Sequence, residues 1–129
     1  MRAIVFHAHG GPEVLGLAEL PEPVAGPGQA LVGVRACALN RLDLWVRGGL
    51  PGLRLPLPHV PGCDIAGVVE AVGPGVETSW VGREVVVAPG LSCGTCEACQ
   101  SGWDNLCPRY RILGETAPGG YCERIAVPA

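Results

Sequence analysis

A small, mainly β domain with short helices, a barrel or a sandwich, is the fold class this sequence predicts, on three observations. Short aliphatic runs recur between turn signals along 129 residues, a length that suits one domain of ~100–200 residues. Glycine (20) and proline (13) are abundant but follow no period, which excludes collagen and fits many tight turns. Only one stretch, residues 41–47, reads as a helix. With aromatics at 5%, the core must be built from Val, Leu, Ile and Ala.

Each element can be justified in order. Residues 4–6 and 14–17 are strand candidates around the turn at His9–Pro12. A proline-rich connector, 21–28, ends in Gly26-Pro27-Gly28, and a longer β segment covers 30–39. Asn40 is placed to cap the helix at 41–47, with Asp43 in its first turn where the dipole favours a carboxylate, and Gly48-Gly49 stops it. A loop crowded with proline runs to Pro61-Gly62. Apolar strands follow at 65–72 and 84–88, and a last strand is expected at 121–127. Between them, residues 89–110 lose all hydrophobic periodicity. Cys37 and Cys122 fall in strand patterns as core residues, whereas His7 and His9 read as surface or turn residues.

Composition excludes several classes. The net charge of −3 argues against a nucleic-acid partner. All nine basic residues are arginine, which is read as composition bias. The first residues lack the apolar run and cleavage site of a signal peptide, and no apolar stretch reaches the ~18 residues of a membrane span. A cytoplasmic chain without a membrane partner is expected, where cysteines serve more often as metal ligands or thiols than as disulfides.

Four of the seven cysteines, Cys93, Cys96, Cys99 and Cys107, crowd the aperiodic segment. Zinc takes four ligands in a tetrahedron, and thiolates at this spacing suit a closed structural site. Gly94 and Gly102 permit the backbone turns such a wrap needs. Disulfides conflict with the compartment and the crowding. An iron–sulfur motif has a shorter fourth spacing, three residues rather than seven, and usually a second cluster. One Zn2+ per chain is the expectation, holding a segment with little apolar content of its own.

These cysteines, the opening residues 1–5 with 11–15, the stretch Pro61–Gly73 and the closing Gly119–Pro128 together resemble the medium-chain dehydrogenase/reductase superfamily, the zinc alcohol dehydrogenases and quinone oxidoreductases. The resemblance covers nearly the whole chain. It implies a GroES-like partly open β-barrel across 1–129 with a zinc-binding lobe at about 89–110. Full-length members continue into a Rossmann domain that holds NADP or NAD. No Gly-x-Gly-x-x-Gly follows a strand here, so the chain reads as the catalytic-domain part of a larger enzyme, inactive alone.

The resemblance also locates a second metal site and a departure from it. Zinc alcohol dehydrogenases place a ligand cysteine at the position of Asn40, a relay hydroxyl at Leu42, and a Gly-His-Glu motif that reads Gly62-Cys63-Asp64 here. An amide and a leucine supply neither thiolate nor hydroxyl. His59, Cys63 and Asp64 are an alternative ligand set with no spacing rule behind it.

The pattern Asn40, Asp43, Arg47, Gly49 with Gly62, Asp64, Gly67 is instead similar to the zinc-independent quinone oxidoreductase branch. That similarity implies reduction of a quinone, or of an activated alkene or carbonyl, with Asn40 as a catalytic hydrogen-bond donor. Trp45 and Cys63 would then adjoin the small-molecule substrate, and Arg41 the cofactor pyrophosphate. Each has a plainer alternative: Asn40 a helix cap, Trp45 a packing residue, Cys63 an apolar or hydrogen-bonding residue, Arg41 a solvated charge. A zinc alcohol dehydrogenase and a non-catalytic zinc-stapled binding module are competing readings. The face toward the Rossmann domain should be apolar, and full-length relatives imply a homo-oligomer.

Overall fold

A computed structural model describes all residues, Met1–Ala129. Two strands, β1 (Arg2–Phe6) and β2 (Leu15–Glu19), form an antiparallel pair around a 3-10 turn at Pro12–Val14. The main sheet is four-stranded and antiparallel, in the order β5 (Glu84–Val87), β4 (Asp64–Val72), β3 (Gln29–Ala38) and β8 (Arg124–Pro128). A small third pair, β6 (Gly90–Leu91) and β7 (Arg111–Ile112), forms the base of the cysteine lobe. The helices are α1 (Arg41–Gly48) and the single turn α2 (Glu97–Gln100). The mainly β class holds, as open sheets rather than a closed barrel. No helix is long and apolar enough to cross a membrane.

The core forms where strand alternation predicts it. Ala30 and Val32 of β3, Ile65 and Val69 of β4, and Ile125 and Val127 of β8 bury one face of the sheet, joined by Leu113 and Ala117. Full burial of each Val or Ile contributes about 1.5–3 kcal/mol. A second cluster, Ala3, Val5 and Val60, lies under β1. The two are stitched by main-chain bonds from Ile4 to Tyr121 and from Glu123 to Arg2. Cys37 and Cys122 are half-buried and pack against these clusters.

A register shift between Val34 and Ala36 explains how Cys37 reaches the core. Before it, the even residues Ala30 and Val32 point inward; one extra residue reverses the phase, so Ala36 and Ala38 turn outward and Cys37 packs inside. The strand pattern alone contains no sign of that reversal.

Three expected boundaries move. The last strand begins at Arg124 rather than residue 121, because 114–121 is spent packing main chain against main chain. A Cβ at Gly119 would lie 2.3 Å from the Gly62 carbonyl oxygen, and one at Gly114 would lie 2.6 Å from the Gly62 carbonyl carbon. β1 begins at Arg2 and β2 ends at Glu19, both longer than apolar content suggests. The segment 89–110, expected to be aperiodic, contains β6, α2 and a 3-10 turn at Asp104–Leu106. These elements are too short to produce a hydrophobic period.

Candidate metal centre and the Asn40–Asp64 junction

The cysteine lobe brings its four sulfurs together. Cys93 follows β6, Cys96 precedes α2, Cys99 lies within it, and Cys107 follows the 3-10 turn. Gly94 and Gly102 take φ of +69° and +79°, the left-handed turns that reverse the chain between ligands. All four Sγ atoms lie within 4.8 Å of one another, and they are the one group of three or more such side chains in the molecule. The Cys96–Cys99 and Cys93–Cys99 sulfur distances are 3.5 and 3.9 Å. A tetrahedron with Zn–S of ~2.3 Å has sulfur–sulfur edges of about 3.8 Å, so the donor set and its spacing fit a zinc ion.

The surroundings favour a thiolate at Cys93. The Thr95 main-chain N–H and then its hydroxyl lower the Cys93 thiol to about 5, helped by the Cys96 N–H. The Thr95 hydroxyl donates to Cys93 Sγ at 3.6 Å, and the Arg109 N–H donates to Cys107 Sγ at 3.3 Å. Thr95 and Arg109 are polar neighbours that ligand spacing could not single out.

The second constellation lies where β3 leaves the sheet and β4 enters it. Ala38 pairs with Asp64, which sets Asn40 beside the first residue of β4. Asn40 caps α1: its Oδ1 accepts from the Leu42 N–H at 3.0 Å, and Asp43 Oδ2 accepts from the Asn40 N–H at 2.7 Å. Asn40 Nδ2 donates to Asp64 Oδ2 at 2.9 Å. Cys63 Sγ approaches Asp64 Oδ1 at 3.6 Å.

Beneath them Asp43, only 6% exposed, is the hub. Besides Asn40, it accepts from the Gly62 N–H at 3.0 Å and from the Tyr121 hydroxyl at 2.8 Å. Burial first and the Asp43 carboxylate second push the Tyr121 phenol well above its ordinary value. Burial likewise raises Cys63 to about 11 and Cys37 to about 12, so both are neutral thiols. Tyr121 is a site residue that sequence reading missed, because its partner lies 78 positions away.

The remaining candidates are placed as follows. Trp45 is 52% exposed, so its ring is not packed into the core. Cys63 is 3% exposed, behind Asp64. Arg41 is exposed at the start of α1. His59 is 2% exposed, with Nε2 3.1 Å from the Gly114 carbonyl oxygen; it forms no ligand group with Cys63 and Asp64. His7 and His9 are exposed, as expected.

The chain is thus an open antiparallel β domain that carries a four-cysteine lobe and a polar junction where β3 ends and β4 begins. Residues 26–129 match the alcohol dehydrogenase GroES-like domain, and the chain belongs to that family, within the medium-chain dehydrogenase/reductase superfamily. It is 41% identical over 113 residues to D-altritol 5-dehydrogenase of Agrobacterium fabrum, covering 88% of this chain and 33% of that protein. It is 39% identical over 98 residues to quinone oxidoreductase of Sus scrofa, covering 75% and 30% respectively.

Two solved structures share the fold. An NAD-dependent alcohol dehydrogenase superposes with a TM-score of 0.94 at 58% identity, covering 99% of this chain and 37% of that one. A cobalt- and zinc-bound thermostable alcohol dehydrogenase from Pyrobaculum aerophilum gives 0.89 at 42% identity, covering 100% and 39%. The chain thus spans about a third of the length of the proteins it matches.

Proposed function

We propose that this chain is the N-terminal domain of an NAD(P)H-dependent medium-chain oxidoreductase that reduces quinones or conjugated alkenes and carbonyls. In this reading Cys93, Cys96, Cys99 and Cys107 hold one structural zinc, and the reaction step uses no metal. The observation that carries it is the Asn40 amide. Its oxygen is taken by Leu42 and one Nδ2–H by Asp64, which prevents the amide from flipping and leaves the second Nδ2–H unpartnered at an exposed site.

The nicotinamide, held by a Rossmann domain of the full-length enzyme, supplies the hydride. As the conjugated carbon is reduced, charge develops on the substrate carbonyl oxygen. The free Asn40 N–H is oriented to donate there, and one such preorganised donor accounts for about 10²–10³ in rate. Leu39 (86% exposed), Leu44 and Trp45, within five residues of Asn40 in the chain, expose apolar surface suited to an unsaturated substrate and to a docked second domain. Cys63 is buried against Asp64. Arg41 makes no hydrogen bond or ion pair within the domain and is the proposed contact for the cofactor pyrophosphate. The seven unpaired cysteines suit a cytoplasmic protein, and a homo-oligomer is part of the same reading.

The test is steady-state kinetics of the full-length enzyme with a quinone, an enone and a simple alcohol. Asn40→Ala should lower kcat/KM for quinone by about 10²–10³ while zinc content stays unchanged. A second reading, a zinc-dependent alcohol dehydrogenase, draws on the adjacent Cys63 and Asp64 and on the metal-bound relative from Pyrobaculum aerophilum. Efficient alcohol oxidation that chelators abolish without unfolding would replace the first reading by this one.

A further inference from the structure

Four thiolates around a divalent zinc ion carry a formal charge of −2. The other ionisable side chains of residues 89–112, apart from Tyr110, are Glu97, Asp104, Arg109 and Arg111, and their charges cancel. The excess negative charge must therefore be met by positioned donors. Two such donors converge on opposite ends of the ligand set from one residue. The Arg109 main-chain N–H donates to Cys107 Sγ at 3.3 Å. Its guanidinium Nη2 donates to Thr95 Oγ1 at 3.4 Å, and that hydroxyl donates onward to Cys93 Sγ at 3.6 Å. Because the Thr95 oxygen accepts from the cation, its proton is turned toward the sulfur and polarised.

We propose that Arg109, acting through Thr95, is the counter-charge of the zinc lobe, a positioning residue that retains the metal. The proposal rests on the reading that the four cysteines hold zinc. Arg109 and Thr95 are both exposed, so the effect is screened by salt, which supplies a signature that simple packing lacks. Arg111, two residues along, also exposed and without a hydrogen bond to any ligand, is the internal control.

The test measures zinc transfer from the loaded 129-residue chain to a chromogenic chelator, at low and high salt. R109M should speed release about tenfold, the lower end for an outer partner of a metal ligand, and T95V about threefold. R109K should recover part of the loss, and R111M should match the parent. Added salt should speed release from the parent and narrow the gap to R109M. Cobalt-loaded R109M should keep the sulfur-to-metal charge-transfer band, showing that all four ligands stay bound. R109M within about twofold of the parent, or R111M equal to R109M, would overturn the proposal. If R109M does not fold, T95V and the parent's salt dependence decide, and a flat response to both sinks it. A parent that takes up no zinc removes both this inference and the reading beneath it, whereas zinc uptake with unchanged R109M release removes this inference alone.

Discussion

The cysteine lobe and the Asn40–Asp64 junction solve the same problem, holding loops that lack an apolar core, by opposite means. In the lobe, four soft ligands converge from the short span Cys93–Cys107, and an external ion suits the site they build. In the junction, a buried carboxylate gathers hydrogen bonds from three chain segments, Asn40, Gly62 and Tyr121. The proposed metal of the first would come from solution; the second is complete when the chain folds. In the proposed reading the metal region stabilises the domain and the metal-free region carries the chemistry.

Chelation should separate the two regions most sharply. Structural zinc contributes on the order of 10 kcal/mol of metal-linked free energy. Removing it should abolish hydrogen-exchange protection of amides across residues 93–109 and leave the β3–β4 pairing protected. Equal loss in both would show one cooperative unit and break the comparison.

Asp43→Ala should act in the opposite place. It deletes an acceptor of three hydrogen bonds and strands the buried Gly62 N–H and the part-buried Asn40 N–H, costing about 3 kcal/mol or more in urea unfolding, with zinc content unchanged. Tyr121→Phe removes one donor to the same carboxylate and should cost about 1.5 kcal/mol. A Tyr121→Phe loss equal to that of Asp43→Ala would mean that the hub has only one partner of consequence.

The smallest expected effect is a pH dependence at the buried His59, outside both regions. Burial lowers His59 below its ordinary 6.5, partly offset by the Gly114 carbonyl. The folded imidazole is therefore neutral, and the unfolded chain takes up a proton first as pH falls. Its contribution is full above pH 6.5 and is lost as pH drops from 6.5 toward the lower folded value. Urea midpoints at pH 7.5 and 5.5 should fall further for the parent than for His59→Gln; equal falls would refute it.

Legibility followed sequence distance. The cysteine ligands, the cap at Asn40 and the turn glycines Gly94 and Gly102 are local patterns, because zinc coordination and helix capping act over a few residues. Strand existence was legible from aliphatic runs, whereas the starts of β1 and β8 were not, since main-chain pairing rather than side-chain type sets them. Thr95 and Arg109 were in plain view but carry no spacing signal, because side-chain direction alone brings them to the sulfurs.

By itself, then, the sequence determined a mainly β domain, a cluster of four cysteines in one short loop, and an asparagine at the head of a helix. Only the tertiary structure decided that Asn40 is locked by Asp64, that Asp43 and Tyr121 lie beneath it, and that a bulge in β3 reverses the strand's facing before Cys37. The physical reason is that these outcomes depend on strand register and backbone-to-backbone packing among segments up to 78 residues apart, and no local pattern encodes a partner that far along the chain.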